Sequence, residues 1–428
     1  MTAGLILHYR RTARTALNVL GGAVAGDPRT AAIPVVVARS PAELRAALGA
    51  AAASGRSPVV AWSFYTAGFA EAAAELRAVR EGHPGPALHV AGGPHASADP
   101  GSVLRAGFDF AAVGEGEETL PALLGAVDAG GDARAVPGLA WLEGGALRAS
   151  GAARPVDLDA VPALFERLDR INPIEITRGC VWGCRFCQTP FLFKARWRHR
   201  SVPAVRRAVR HMRESGARDV RFISPSALSY GADGGEPNLD AVEALLAAVR
   251  EEAGEGMRVF LGSFPSELRP EHVSARALGL LRRSCDNRTV VIGAQSGSER
   301  ILSAAGRGHG AEDAERAVAL AVEHGFEPWV DYVFGFPGEE EADRAATRAQ
   351  LARLPGWAPG STRTPSCRSP GRRGGTPRRA RWTRRRRSCS SGWRRRGAPT
   401  APGGRSRRSA ARPLRWAGAE PLARARPT

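Results

Sequence analysis

The sequence predicts an α/β protein built from two successive series of alternating strands and helices. In the first third of the chain, short apolar runs alternate with segments rich in Ala and Leu that have a helical composition. The same alternation returns between residues 173 and 354. Short apolar runs separated by helices are typical of parallel strands that are buried on both faces of a sheet. At 428 residues, the chain has room for two or three domains with cores of their own.

Residues 1–135 predict a doubly wound, Rossmann-like sheet. Helical segments such as 41–53 and 70–79 separate the apolar runs, which favours parallel strands joined by helices. In such sheets, ligands bind beyond the carboxyl ends of the strands. The five predicted strands are 5–7, 33–37, 59–62, 88–91 and 110–113.

Two glycine-containing loops follow the fourth and fifth predicted strands and are candidate binding loops. Glycine permits a close approach between backbone and ligand. The second loop has another interpretation, because Glu117, Glu118 and Thr119 also suit the first turn of a helix. The candidate residues are Gly92, Gly93, His95, Gly114, Gly116 and Glu117.

Residues 136–171 predict a hairpin and a linker between the two series. Gly144 and Gly145 form a turn signal between two short stretches of strand composition. The segment 155–162 follows and has the composition of a connector. We assign no chemistry to this part.

The most informative motif is formed by Cys180, Cys184 and Cys187, which have the spacing CxxxCxxC. Thiolates are soft ligands suited to iron-sulfur clusters, and three of them can hold three corners of a cubane. The fourth iron then has no protein ligand, because no other cysteine lies nearby in the sequence. We therefore expect a small molecule to complete its coordination.

The triplet has two other interpretations. A zinc site needs four nitrogen or sulfur ligands, and His199 is the candidate for the fourth. Disulfides are less consistent with the pattern, because three clustered cysteines cannot all pair among themselves. Cluster binding is the interpretation that we favour.

The triplet, with the aromatic Phe186 before its last cysteine, resembles the signature of the radical S-adenosylmethionine (SAM) superfamily. That resemblance implies a [4Fe-4S] cluster whose open iron binds the amino and carboxylate groups of SAM. One-electron cleavage would then give methionine and a 5′-deoxyadenosyl radical. An electron donor such as flavodoxin or ferredoxin is implied as a partner.

The resemblance also implies that residues 172–355 form a partial (β/α)6 barrel, with its site at the carboxyl ends of the strands. A sixth strand would fall in the tail, so the barrel is expected to be incomplete at its C-terminus. The predicted strands are 175–177, 220–223, 258–261, 290–293 and 329–334, and the predicted helices are 202–214, 239–252, 272–282, 312–323 and 340–354.

Several strand ends match the superfamily's pattern and imply contacts to SAM. A serine pair follows the second strand, where a contact to the SAM amine is usual. In the fourth-strand motif, Gln295 replaces the common Glu and keeps its hydrogen-bonding capacity without the charge. The fifth strand leads into a Gly-x-Pro-Gly-Glu motif. The implied SAM-binding residues are Phe186, Ser224, Ser226, Gln295, Ser296, Gly335, Pro337 and Gly338.

The two N-terminal candidate loops resemble those of the cobalamin-binding-type domain that precedes the radical domain in a branch of this superfamily. The resemblance covers about residues 1–130 and implies cobalamin as a further cofactor. The usual Asp-x-His-x-x-Gly pattern is not met, because His8 lacks both the Asp and the Gly. We therefore predict that His8 is an ordinary histidine at a strand end and that cobalt needs no protein histidine.

Two charged segments have both a functional and a structural interpretation. The basic residues after the cysteines could neutralise the charge of a cluster or substrate, or simply form a solvated loop; they are Arg196, Arg198, His199 and Arg200. Glu267 and Arg269 follow the third strand and could contact substrate, or belong to a loop stabilised by a salt bridge.

The residues 356–428 form a tail rich in Arg, Pro and Gly. Of the 61 basic and 42 acidic residues, 21 Arg and one Glu follow Gly360, so the rest of the chain carries 40 basic and 41 acidic side chains. The formal net charge of +19 therefore resides in the tail.

The composition of the tail predicts disorder or a basic arm that binds nucleic acid nonspecifically. We favour a third interpretation, a slipped reading frame in GC-rich DNA, since a shifted frame can encode a segment that resembles the end of a radical SAM barrel.

Together these patterns predict a radical SAM enzyme that acts on a small-molecule substrate. With cobalamin, methyl transfer is expected, whereas without it a rearrangement or a methylthio transfer stays open. The alternative is a non-catalytic iron-sulfur protein or a frameshifted remnant. No long uncharged apolar run and no cleavable leader are seen, so we expect a cytoplasmic protein without a membrane partner.

Overall fold

The computed structural model describes residues 2–83, 85–165, 168, 173–194 and 196–354, together with the backbone of 367–369 and 378–380. All of these residues belong to one compact unit that extends to Arg384. None of the helices in these ranges is both long and apolar enough to cross a membrane. The predictions of disorder or a shifted frame concern tail residues that, apart from the two short strands, lie outside the described part.

The N-terminal part contains a seven-stranded sheet in the order β2-β1-β3-β4-β5-β6-β7. The first five strands in this order are parallel, and β6 and β7 add an antiparallel edge. The strands are β1 (Ala3–His8), β2 (Val35–Ala38), β3 (Ser57–Ser63), β4 (Leu88–Gly92), β5 (Phe110–Ala112), β6 (Leu139–Glu143) and β7 (Ala146–Ala149). This confirms the five predicted parallel strands and the predicted hairpin.

Six helices cover the two faces of this sheet. Leu5 and Leu7 pack into a core on one face, whereas Ile6 packs into a separate core on the other. This alternation explains why β1 is apolar along its whole length. The helices are α1 (Arg14–Gly26), α2 (Pro41–Ala53), α3 (Phe69–Gly82), α4 (Pro94–Ala98), α5 (Pro100–Arg105) and α6 (Gly116–Asp128).

The second part is built around a series of parallel strands. The order β8-β11-β12 continues into β13-β14-β15 through Leu268, which bridges in parallel to Ile292. The short strands β9 and β10 pair antiparallel, as do β15 and β16. The strands are β8 (Ile174–Glu175), β9 (Thr177–Arg178), β10 (Arg198–His199), β11 (Asp219–Ile223), β12 (Arg258–Phe260), β13 (Thr289–Gln295), β14 (Glu327–Val333), β15 (Cys367–Ser369) and β16 (Arg378–Ala380).

Helices on the outside of these strands enclose the largest core. Val290 and Ile292 of β13 pack into it, so the alternate residues Gly293 and Gln295 face the opposite side of the strand, toward the barrel interior. The helices are α7 (Gln188–Phe193), α8 (Val202–Glu214), α9 (Leu239–Ala253), α10 (Ala275–Ser284), α11 (Glu299–Ala304), α12 (Ala311–Glu323) and α13 (Glu341–Arg353).

Two predicted elements differ from the structure. The predicted strand 175–177 is interrupted at Ile176, because the chain changes partners there from β11 to β10. The predicted helix 272–282 begins only at Ala275. Ser274 caps it by accepting a hydrogen bond from the Ala277 amide, and a short 3-10 turn precedes the cap.

Candidate functional site

The three predicted cluster ligands lie on one loop between β9 and α7. Cys180 and Cys184 are buried and Cys187 is half-buried, and all three are free thiols. The Cys187 amide donates to the Cys184 carbonyl at 3.0 Å, which makes a tight turn between these two ligands. Cys187 then precedes the first residue of α7.

The thiols are close enough to influence one another. The pKa of Cys180 is raised to about 11, chiefly by burial, and the nearby Cys184 and Cys187 act in the same direction. In the absence of metal the Cys180 thiol is therefore protonated, and its proton is released when iron binds, since the thiolate is the ligand.

The donor set fits a cubane cluster. Across the part of the chain that the structure describes, no three His, Cys, Asp or Glu side chains converge on a single metal ion. The protein ligands of a cubane each bind a different iron, so their sulfurs need not meet at one point. His199, the fourth ligand of the zinc alternative, is engaged elsewhere, because its Nδ1 pairs with Thr177 Oγ1 at 3.1 Å and its Nε2 with the Ala232 carbonyl at 2.8 Å.

Gly179 is required directly before the first cysteine. Its φ is +82°, and a Cβ placed there would lie 1.8 Å from the carbonyl oxygen of Arg196. We expect Gly179→Ala to cost at least about 1–3 kcal/mol of stability from the backbone conformation alone. Because the collision displaces the cluster loop, the iron content after reconstitution should also fall.

Gly183→Ala is the matched control for this variant. Gly183 lies in the same loop, and its Cβ would meet nothing within 4 Å. Iron content and thermal unfolding should therefore stay at the wild-type level in Gly183→Ala. A wild-type iron content in Gly179→Ala would contradict the conclusion that the cysteine loop requires glycine at position 179.

The structure brings Phe186 and the fifth-strand motif together. The ring of Phe186 lies edge-on to the ring of Phe336, with centroids 5.6 Å apart. Gly335 and Gly338 have φ values of +86° and +75°, and Pro337 is exposed between them. The loop after β14 therefore stands next to the cysteine loop, as the predicted SAM contacts require.

The predicted serine contacts have partners inside the protein. Ser224 donates to the Ser226 carbonyl at 2.6 Å, and the Ser226 hydroxyl accepts from Ser229 at 2.9 Å. Ser296 accepts from the Ser298 amide at 3.1 Å. The three predicted serines, Ser224, Ser226 and Ser296, are buried. They shape the loops after β11 and β13, and a contact to SAM would have to share their hydrogen-bonding capacity.

Three polar groups converge around Gly293 in the barrel interior. A Cβ on Gly293 would lie 2.8 Å from Gln295 Nε2, 3.1 Å from Arg307 Nη2 and 3.2 Å from Glu267 Oε2. Gln295 is buried and has a φ of +70°, a conformation that few residues other than glycine adopt. The predicted residues Gln295 and Glu267 thus share one location, and Arg307 joins them.

Arg307 was not predicted from the sequence, although it contacts a cluster ligand. Its Nη1 donates to Cys184 Sγ at 3.7 Å. Arg269 lies beside it, with its guanidinium 3.9 Å from the centroid of the Trp182 ring. Arg269 pairs with Glu271 at 2.5 Å, so it belongs to a salt-bridged loop. The alternation of glycine with Arg and His at 306–310 was the one available signal for Arg307.

Two of the basic residues after the cysteines have partners inside the protein. Arg198 pairs with Glu115 of the N-terminal part. Arg200 is buried and donates to the carbonyls of Glu175 and Val161. These contacts contradict a solvated loop for Arg198 and Arg200, whereas a role of these arginines in neutralising the charge of a cluster or substrate stays a prediction. Arg196 is exposed.

The two N-terminal candidate loops meet at the carboxyl edge of the sheet. Ser97 of the first loop accepts a hydrogen bond from the Gly114 amide of the second at 3.0 Å. Gly93 has a φ of +87°, and a Cβ there would lie 2.9 Å from Ser63 Oγ. A Cβ on Gly92 would make ordinary contacts at 3.8 Å with Ala112 and the Trp62 carbonyl, whereas Gly116 lets α6 approach Leu20 of α1.

His8 and His95 of this part are engaged in hydrogen bonds. His8 Nε2 contacts Glu75 at 2.8 Å, and its ring stacks on Trp62. His95 contacts Thr66 at 3.1 Å and Ser102 at 3.2 Å through its two nitrogens. Burial lowers the pKa of His95, which is therefore neutral at pH 7. His8 is confirmed as a residue at a strand end, and His95 supports its own loop.

A buried ion cluster joins the second N-terminal loop to the cysteine loop. Arg178, two residues before Cys180, pairs with Glu115 at 2.9 Å, Glu117 at 2.5 Å and Glu175 at 2.6 Å. Burial opposes its charge, but Glu175 and Glu117 outweigh burial and hold its pKa well above the usual value. Glu117, predicted to contact cobalamin, is thus paired with the segment that leads into the cysteine loop. Nearby, α4 lies against α7.

Comparisons with known families agree with this architecture. Residues 174–351 match the family model of the Radical SAM superfamily, and residues 35–124 match that of the B12 binding domain. The chain therefore combines a radical SAM domain with an N-terminal B12-binding domain.

Curated relatives share part of the chain. A tRNA-2-methylthio-N(6)-dimethylallyladenosine synthase of Chlorobium phaeovibrioides is 35% identical over 182 residues, which are 42% of this chain and 38% of that protein. An uncharacterized methyltransferase of Pyrococcus horikoshii is 26% identical over 274 residues, covering 60% of this chain and 56% of that protein. The chain thus spans roughly two fifths to three fifths of these relatives.

Solved structures share the fold. The radical SAM methyltransferase TsrM from Kitasatospora setae, with cobalamin and a [4Fe-4S] cluster bound, superimposes with a TM-score of 0.65 at 19% identity, over 82% of this chain and 70% of that chain. The cobalamin-dependent SAM radical enzyme OxsB superimposes with a TM-score of 0.63 at 14% identity, over 82% and 52%. At these identities the likeness establishes a common two-domain fold.

Proposed function

We propose that this chain is a cobalamin-dependent radical SAM enzyme of the methyltransferase type. The observation that carries the proposal is the buried connection between the two candidate sites. Arg178 ties the loop of the three cysteines to Glu115 and Glu117, which begin the helix after the second candidate cobalamin loop. The two sites are therefore held at a set separation, as a reaction that uses both cofactors requires.

Cys180, Cys184 and Cys187 would hold the [4Fe-4S] cluster and leave one iron for SAM. Bound there, the two cofactors would supply a carbon radical from SAM and a transferable methyl group on cobalamin. The chain's own residues would bind and orient these two cofactors. Phe186, whose ring contacts Phe336, and the glycines of 335–338 would bind SAM next to the cysteines, and the buried Gln295 would offer its amide.

Cobalamin would lie at the carboxyl edge of the N-terminal sheet, beside Gly93 and Gly114. Both residues have positive φ, and the second has open space where a side chain would stand. His8 and His95 are committed to Glu75, Thr66 and Ser102, so we propose that cobalt is bound without a protein imidazole. This agrees with the missing Asp-x-His-x-x-Gly pattern.

The proposed chemistry needs an external reductant. We propose a flavodoxin or ferredoxin as electron donor and a cytoplasmic location, where thiols stay reduced. The substrate belongs to the class of small molecules with a carbon that can accept a methyl group.

The proposal is tested by anaerobic reconstitution with iron, sulfide and hydroxocobalamin. We expect about four irons per chain, an EPR signal that SAM perturbs, and a cobalamin absorption spectrum that persists through gel filtration. With a reductant, the protein should convert SAM into 5′-deoxyadenosine or S-adenosylhomocysteine. A protein that loads zinc alone and leaves SAM intact would overturn the proposal.

A second function is favoured by the 35% identity to tRNA methylthio synthases over 182 residues. In that case, methylthio transfer would proceed with or without cobalamin. Reconstitution of the cluster with and without cobalamin separates the two functions, because only the first depends on the corrinoid.

A further inference from the structure

Arg307 is a buried cation whose nitrogens all have partners. It lies in the loop between α11 and α12, and only 8% of the residue is exposed. Nη1 donates to Cys184 Sγ at 3.7 Å, Nη2 to the Gly293 carbonyl at 2.8 Å, and Nε to His309 Nε2 at 3.0 Å. Because His309 Nε2 accepts this bond, its imidazole is neutral.

The loop that carries Arg307 is pressed against the cysteine loop. Gly308 has a φ of +78°, and a Cβ there would lie 2.6 Å from the Trp182 ring. Arg185, between the second and third cysteines, donates from its amide to the Ala305 carbonyl at 2.9 Å. Arg269 stacks on Trp182 and donates to the Arg307 carbonyl. The guanidinium is thus held in place before any cluster binds.

A fixed cation at this position has a defined effect on an iron-sulfur cluster. Hydrogen bonds to the cysteine sulfurs, net charge and solvent exposure set the reduction potential of such clusters. Reduction adds one negative charge, and a buried positive charge stabilises the reduced form more than the oxidised form. A hydrogen bond from an ionised donor to a thiolate is also stronger than a neutral one.

We propose that Arg307 is a positioning residue that raises the reduction potential of the cluster through its hydrogen bond to Cys184. The proposal rests on the cluster-binding part of the proposed function. It adds a determinant of how readily the cluster accepts an electron, and it does not depend on SAM, cobalamin or the identity of the substrate.

The test compares Arg307→Gln and Arg307→Lys with the wild-type chain after anaerobic reconstitution. Iron content is measured first, and the midpoint potential is then obtained by an EPR-monitored redox titration without SAM. Arg316→Gln is the control, because Arg316 is an exposed arginine on α12 that pairs with Asp313. This variant removes the same formal charge from an exposed position on the helix that follows the Arg307 loop.

We expect Arg307→Gln to keep its iron and to shift the midpoint potential to a more negative value. Arg307→Lys retains the charge and should show a smaller shift, whereas Arg316→Gln should match the wild type. An unchanged potential in Arg307→Gln would overturn the proposal. Loss of the cluster from both Arg307 variants would also overturn it, because Arg307 would then serve only to fold the loop. Failure of the wild-type protein to cleave SAM would count against the proposed function while leaving the potentials measurable.

Discussion

Replacing Cys184 by Ala is expected to abolish cluster binding and SAM cleavage together. Cys184 supplies one of three thiolates in a loop of eight residues, and it is buried, so solvent or a mobile thiol cannot readily replace it. Two remaining thiolates leave two irons of a cubane without a protein ligand. The iron content should fall from about four per chain to near zero, and 5′-deoxyadenosine formation should fall below detection.

Cys285→Ala is the control for this result. Cys285 is also a buried free thiol, but it follows α10 and packs in the core of the radical domain. The variant should retain its iron and its SAM cleavage, with at most a modest loss of stability from the small cavity. If Cys184→Ala still formed 5′-deoxyadenosine at the wild-type rate, the assignment of the triplet would be wrong.

Replacing Arg178 by Met is expected to have the largest effect on stability outside the cores. The side chain of Arg178 is 6% exposed, and that of Glu115 is 7% exposed. Removing the arginine takes the ion-pair partner from Glu117 and Glu175 in a buried setting, while Glu115 keeps its pair with Arg198. Breaking a buried ion pair from one side costs about 3–5 kcal/mol, because the remaining charge is left uncompensated.

The effect of Arg178→Met should appear both in the free energy of unfolding from urea titration and in cobalamin affinity. Arg134→Met is the matched control, because Arg134 pairs with Glu143 at the surface, where both side chains are about half exposed. Surface pairs contribute less than about 1 kcal/mol. Equal losses of stability in the two variants would show that the ion cluster does not hold the two domains together.

Much of the fold was predictable because its signals are local. The alternation of short apolar runs and helices was sufficient to place the parallel strands of both domains, and the Gly144-Gly145 turn placed the hairpin. The predictions that failed concern which distant groups a side chain contacts. Arg198 and His199 lie close to the cysteines in sequence, yet they contact Glu115 and Ala232. Charge in a short segment does not indicate which of several distant groups it will face.

The cysteine triplet is a property of the sequence alone. Its three thiols lie within eight residues, so closing the loop around a cluster costs little chain entropy whatever the rest of the fold does. The residue types and their spacing therefore determined the class of cofactor.

The surroundings of those thiols depend on contacts between residues far apart in the chain. Arg307 reaches Cys184 across 123 positions, and Glu115 reaches Arg178 across 63. Such pairs form only when strands and helices pack, because packing brings their loops to the same edge of the sheet. The tertiary structure thus decided which charges face the cluster loop and how the two cofactor sites are joined.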